Sequence, residues 1–270
     1  MEIKISNIEQ YLDFNSIDFA KIKWVEPVFV CVYKAFGEDN GRVHKTNNSY
    51  IDHMLDGNYK EWKTYSPIEH IISRAKIEEI SQHLTNVLLK NIDITGEDKE
   101  DIKNLLQYLF TEMMNNVIDH SHSIVGGYAM AQYYPQKNVV QFAIADRGIG
   151  FLKNVKTEAP YITTEYDAIE KALEKGFTAS AKKIYGQERN AGFGLYAFQK
   201  FVKHIGGQFI IISNDGIYKE DIYNYPVKKK LECPYKGVIV AFELHLNNIT
   251  LTYDDIINML IEDGDDEQLY

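Results

Sequence analysis

A carboxylate, a carboxamide and an imidazole recur at helical steps in Glu112-Met-Met-Asn-Asn116-Val-Ile-Asp119-His120. Residues three and four apart share a helix face, so Glu112, Asn116, Asp119 and His120 are expected to point the same way. Asn116 can offer Mg²⁺ one neutral oxygen, leaving the other positions to phosphate oxygens and water. Glu112, one turn earlier, can orient or deprotonate a water aimed at a phosphate. Further along, Ala143-Ile-Ala-Asp146 closes an apolar run and leads into Arg147-Gly148-Ile-Gly150-Phe. A carboxylate at a strand end can accept a hydrogen bond from an exocyclic amine. Gly192-Phe-Gly194-Leu195 then precedes Tyr196-Ala-Phe-Gln-Lys-Phe-Val202, whose apolar positions suit a helix. Free amides at a helix start, with glycines before them, bind anionic phosphate. No third glycine completes Gly-x-Gly-x-x-Gly after a strand, and no Walker loop is present.

These groups need elements to hold them. A helix is predicted over 97–120, with Ile102, Leu105, Leu106, Leu109, Met113 and Val117 as its apolar stripe. Before it, Ser73 to Lys90 has a helical period, which Asn91-Ile-Asp-Ile-Thr-Gly96 interrupts. After it, 128–134 and 139–145 read as strands joined by a turn at 135–138. Thr163 to Lys175 reads as a helix stopped by Gly176. Gln208 to Ser213 reads as a strand, and Asn214-Asp-Gly216 as a hairpin turn. Lys219 to Pro234 reads as an exposed insertion, and Gly237 to Leu246 as the last strand. Upstream, Ala20-Lys-Ile-Lys-Trp-Val25 suggests a strand. The run from Pro27 to Phe36 suggests a helix ended by Gly37 and Asn40-Gly41.

In this order and at these separations the three motifs resemble the N box and two glycine boxes of the GHKL ATPases. That is the family of gyrase, Hsp-type chaperones, MutL and histidine kinases. The resemblance spans about residues 97–246. It implies an α+β fold, a Bergerat-type two-layer sandwich with a mixed β-sheet covered by helices on one face. It implies ATP and Mg²⁺ as cofactors, with Glu112 as catalytic base and Asn116 as metal ligand. Asp146 would meet the adenine amino group, while Gly148 and Gly150 let backbone approach the base. Asn116, His120, Thr178, Gly192, Phe193, Gly194 and Leu195 complete the implied nucleotide site. Thr178 belongs to Gly176-Phe-Thr178-Ala-Ser180, which resembles the lid of kinase-like members, where Lys182, Lys183, Gln187 and Arg189 can reach phosphate. Asp119 resembles the Asn-x-x-Asp of MutL and the chaperones. His120 resembles the Asn-x-x-x-His of kinase-type members.

The implied organisation is a small N-terminal α/β segment with connecting helix over 1–90, an ATP-binding domain over 91–250, and a C-terminal helix with acidic tail over 251–270. The Pro-then-apolar segment after a strand, with Tyr50-Ile-Asp-His-Met later, is similar to the STAS-like segment ahead of some stand-alone bacterial ATP-binding proteins.

Composition narrows the setting. The chain has 270 residues and a net charge of −10, which argues against non-specific nucleic-acid binding. No run of about 18 apolar residues exists to span a membrane. The start lacks a basic region followed by an apolar core, and the two cysteines lack ligand spacing. The expected location is therefore cytoplasmic, with ATP and a protein partner as ligands and a second copy of the chain as a candidate partner.

Three functions fit. The first is a weak Mg-dependent ATPase used as a nucleotide-controlled switch for a protein partner. The second is a protein kinase. A histidine kinase needs a phosphoacceptor on an upstream dimerisation hairpin, and neither His70 nor His83-Leu-Thr-Asn86 has that setting. A serine kinase of the anti-sigma type needs no such hairpin. The third is a non-catalytic nucleotide-binding interaction module, against which Glu112 and Asn116 speak.

Overall fold

The computed structural model describes residues 1–41, 46–56, 64–90, 92, 97–177, 194–221 and 224–248. A short strand β1 (Glu2–Ile3) pairs in parallel with β2 (Trp24–Val25). Helix α1 (Pro27–Asp39) follows, with Pro27 in its first turn where no intrahelical N–H bond is lost. Its end falls at Asn40, so Gly37 is carried inside it. Helix α2 (Ser49–Asp56) and strand β3 (Glu69–Ile71) come next. Then α3 (Ile77–Leu89) and α4 (Glu97–Asn116) lead to β4 (Gly127–Tyr134) and β5 (Val139–Asp146). The chain continues through α5 (Phe151–Val155), α6 (Glu165–Ala172) and α7 (Gly194–His204). It ends in β6 (Gln208–Asp221) and β7 (Val227–His245). No helix among the described residues is long and apolar enough to cross a membrane.

The expected α+β class holds, but the sheet is not mixed. Its five strands run in the order β3-β4-β5-β7-β6, and every pairing is antiparallel. The reason is connectivity. Hairpins join β4 to β5 and β6 to β7, and the excursion after β5 returns through edge strand β6 before β7 lies down beside β5. Nor are helices confined to one face. Side chains alternate along a strand. Val140, Phe142 and Ile144 of β5 join a cluster with α3, α4 and α7. Ala143 and Ala145 of the same strand join a second cluster with Val28, Phe29 and Val32 of α1 and Ile51 of α2. The N-terminal segment is thus the second covering layer of one sheet. Burial on both sides leaves all eight residues of β5 buried.

Two further expectations change. Asn214-Asp-Gly216 does not turn the chain, because β6 runs on to Asp221 with register shifts at Ser213, Asn214 and Gly216. The exposed insertion at 219–234 is largely a continuation of these strands, with Lys219 paired to Val227. The predicted 20–25 strand shortens to β2, preceded by a 3-10 turn at Phe19–Lys21. The C-terminal helix and acidic tail lie outside the described residues.

Candidate functional site

Helix α4 keeps its α register only to Asn116. Val117–Ser121 then forms a π turn, closed by His122 in the left-handed region (φ 52°). Such turns interrupt helices where a backbone group is needed elsewhere. Here the Ser121 carbonyl accepts the Ile149 N–H at 2.8 Å, and the His120 carbonyl accepts Asn154 Nδ2 at 2.8 Å. The segment that ends α4 is thereby bonded to the turn after Asp146. The approach is so close that a Cβ at Gly148 would run into the Ser121 carbonyl.

Asp146 ends β5 at 3% exposure. Its Oδ1 accepts the Gly148 N–H at 2.7 Å and the Val238 N–H at 3.3 Å. Tyr235 donates its hydroxyl to the Asp146 carbonyl at 2.9 Å. Burial pushes the Asp146 carboxyl up to about 7, against the pull of those two N–H groups and Arg147. A charge-stabilising donor at Oδ2 would bring it back down. Gly150 has φ 81°, a conformation costly for other residues, and a Cβ there would strike Asn214.

A buried network holds this turn, and sequence spacing gave no sign of it. Glu165, on the first turn of α6, accepts from Ser213 Oγ at 2.5 Å, Asn214 Nδ2 at 2.6 Å and the Leu152 N–H at 3.1 Å. Ser213 Oγ accepts the Phe151 N–H at 2.8 Å, and Asn214 Nδ2 also donates to the Ile149 carbonyl at 3.1 Å. These partners come from strand and helix segments far apart in sequence. Arg147 points the other way. It lies over the Tyr235 ring at 4.7 Å and the Phe36 ring at 5.4 Å, and its Nε pairs with Asp39 at 3.2 Å. Burial would raise Asp39, but Lys236 and Arg147 outweigh it and hold the carboxyl below its ordinary value.

Glu112 sits on α4 against the start of α7. A Cβ at Gly194 would lie 2.6 Å from Glu112 Oε2. Burial raises the Glu112 pKa, Asp119 adds to the rise and Arg74 opposes it. Asp119 pairs with Arg74, which also donates to Asn115 Oδ1 at 2.9 Å. Burial lowers the His120 pKa, so its neutral ring is favoured. Leu195 packs between two apolar clusters rather than facing outward. The structure therefore brings Glu112 to Gly194, and Gly148 and Ile149 to Ser121 just past α4. Asn116 stands one turn beyond Glu112 on α4. Thr178, Gly192 and Phe193, with Lys182, Lys183, Gln187 and Arg189, lie outside the described residues. Among the described residues no group of three or more His, Cys, Asp or Glu side chains could hold a metal ion.

No protein-family model matches this chain. No curated protein matches it.

Proposed function

We propose that the chain is a GHKL-type ATP-binding protein with a Bergerat-type site, hydrolysing ATP weakly with Mg²⁺ and serving as a nucleotide-controlled switch for a protein partner. The observation that carries this reading is the meeting of Glu112 with Gly194 at the start of α7. Among the described residues Glu112 of α4 meets Gly194, and Ser121 just past α4 meets Ile149 of the first glycine turn. The antiparallel sheet and second helical layer depart from the two-layer sandwich of the resemblance, and they leave these contacts intact.

Asp146 fits an adenine amino group. It is buried, its Oδ1 is taken by two backbone N–H groups, and burial without a further donor disfavours its charge. The first amides of α7 favour phosphate through the helix dipole. Glu112 is a stronger base for its raised pKa and stands where a water facing those amides can lose a proton. Asn116 would offer its amide oxygen to Mg²⁺, with phosphate and water as further oxygen donors. The metal would neutralise phosphate charge. Both histidines considered as a phosphoacceptor are engaged structurally. His70 stacks on Tyr128, and His83 Nδ1 lies 2.7 Å from Glu69 Oε1.

Incubation with γ-labelled ATP tests the reading. Glu112→Ala should keep nucleotide binding and lose roughly 10²-fold or more in phosphate release. Acid-labile label on His70 or His83 would overturn the switch in favour of a histidine kinase. Label on an added STAS-domain protein would favour a serine kinase. Absence of any ATP binding would remove the reading altogether.

A further inference from the structure

A second site lies on the opposite face of the sheet. The strand registers align Gln132 of β4, Gln141 of β5, Glu243 of β7 and Gln208 of β6 in one transverse row. By alternation these four share the face that packs α1, where the next rows are Met130, Ala143, Ala241 and Ile210. A polar row inside an apolar face needs partners. Tyr134 donates its hydroxyl to Gln132 Oε1 at 3.1 Å, and Gln141 Nε2 donates to Glu243 Oε2 at 2.7 Å. Gln141 is 3% exposed, and its Oε1 is buried with no hydrogen-bond partner among the described residues.

Above this row is a cleft of about 240 Å³, lined by Glu2, Lys4, Trp24, Glu26, Tyr134, Lys137, Gln141 and Glu243. Gln141 and Glu243 of the row line it together with Glu26, 7% exposed, whose Oε2 accepts the Ile5 N–H at 2.7 Å. The rings of Trp24 and Tyr134 stand 6.3 Å apart. Lys4 Nζ is taken by Glu2 at 2.5 Å, and His245 Nε2 lies 3.4 Å from Glu243 Oε1.

We propose that this cleft binds a small organic cation, a guanidinium or primary amine on a short apolar chain, between Glu26 and Glu243. Three facts select that chemistry. Glu26 and Glu243 line one cleft and feel each other's charge, Lys4 there is paired with Glu2, and a ligand bearing several N–H donors satisfies both carboxylates along with the Gln141 oxygen. Paired aromatic rings beside a carboxylate favour a cation over a neutral donor. The volume is below the usual range for drug-sized ligands, which matches a ligand of amino-acid size or smaller. Burial raises the Glu26 pKa and Glu243 adds to the rise, against the Ile5 N–H, the Gln141 side chain and Lys4, and a bound cation relieves the remaining cost. The site is independent of the ATP reading, because its residues lie on the other face of the sheet from Glu112.

The test is titration calorimetry with agmatine and n-butylamine, and with butyrate as the anionic control. Trp62→Phe leaves Trp24 as the sole tryptophan and a fluorescence reporter of the cleft. The wild type should bind agmatine saturably, with a change in Trp24 emission. Glu243→Gln, which keeps a hydrogen-bonding side chain opposite Gln141, should weaken it about 10-fold or more, the loss for removing a charged partner. A thermal melt of that variant shows whether it is folded. Should it fail to fold, Trp24→Leu serves instead, read by calorimetry alone, with a smaller loss expected. No saturable binding, equal affinity in the folded variant, or equal affinity for butyrate would each overturn the proposal.

Discussion

On one face of the sheet, β5 and β7 present Val140, Phe142, Ile144, Val240 and Phe242 to α4 and α7. On the other, the same strands present Ala143, Ala145 and Ala241, with Ile239 at the end of the row, to the N-terminal layer. Large strand residues set the helices back on the first face. Small ones let α1 come close on the second, near enough for Cys31 Sγ to donate to the Ala143 carbonyl at 3.4 Å. The aromatic bulk there comes from the N-terminal layer itself, where Phe29 packs with Phe14, Phe19 and Tyr33. The difference teaches that the N-terminal layer is core. The α4–α7 face and the N-terminal face are two halves of one buried structure, in which β4 to β7 are the shared wall.

The largest effect expected is a matched pair of truncations. Phe142→Ala removes a ring that stacks on Phe110 at 4.6 Å, and Phe29→Ala removes its counterpart on the other face. Each should cost about 3–5 kcal/mol, the usual range for a buried Phe. Urea unfolding should stay a single transition in both, since the faces share one sheet. Two transitions in Phe29→Ala would break the comparison by making the N-terminal layer a separate unit.

Next in size is a pH effect at the end of β5. Asp146 is raised to about 7 in the fold and titrates near 3.9 when unfolded. Between those values the folded state binds more protons, so this group makes stability fall as pH rises from about 4 to about 7, by up to about 1.4 kcal/mol per pH unit. Asp146→Asn should flatten that part of the profile. Identical slopes for variant and wild type would show that Asp146 titrates normally. Glu112 and Glu26 shift in the same direction, and the difference between the two proteins isolates Asp146.

The smallest effect probes the junction between the faces. Tyr235 belongs to the N-terminal-face cluster yet donates to the Asp146 carbonyl. Tyr235→Phe keeps the ring under Arg147 and should cost about 0.5–1.5 kcal/mol, the net worth of one hydrogen bond. A loss of nucleotide affinity beyond that of stability would tie α1 to the site turn through Arg147 and Asp39.

Much of the α4–α7 face was legible in local pattern. The stripe from Ile102 to Val117, the strands at 128–134 and 139–145, and Pro27 opening α1 are all signals carried within one element. Glu112, Asn116, Asp146, Gly148, Gly150 and Gly194 could be marked for the same reason. The failures are non-local. Asn214-Asp-Gly216 carries the positive φ that a hairpin turn needs (Asn214 φ 46°), but the strand spends it on a bulge that delivers Asn214 to Glu165. The Glu165–Ser213–Asn214 network has no spacing in sequence to betray it. The row of Gln132, Gln141 and Glu243 had a signal in hindsight, lone polar residues at inward positions of apolar strands. Its meaning depends on pairings that only the sheet defines.

The strand order has a kinetic consequence. The β4–β5 and β6–β7 ladders join neighbours in the chain, so each can zip locally within microseconds to milliseconds. The β5–β7 seam joins residues as distant as Gln141 and Glu243, and it can close only after the intervening chain gives up its freedom. Two quickly formed hairpins would then wait on one slow, high-contact-order step. During that wait both hairpins present an unpaired inner edge, which is the folding intermediate's exposure to mispairing and aggregation.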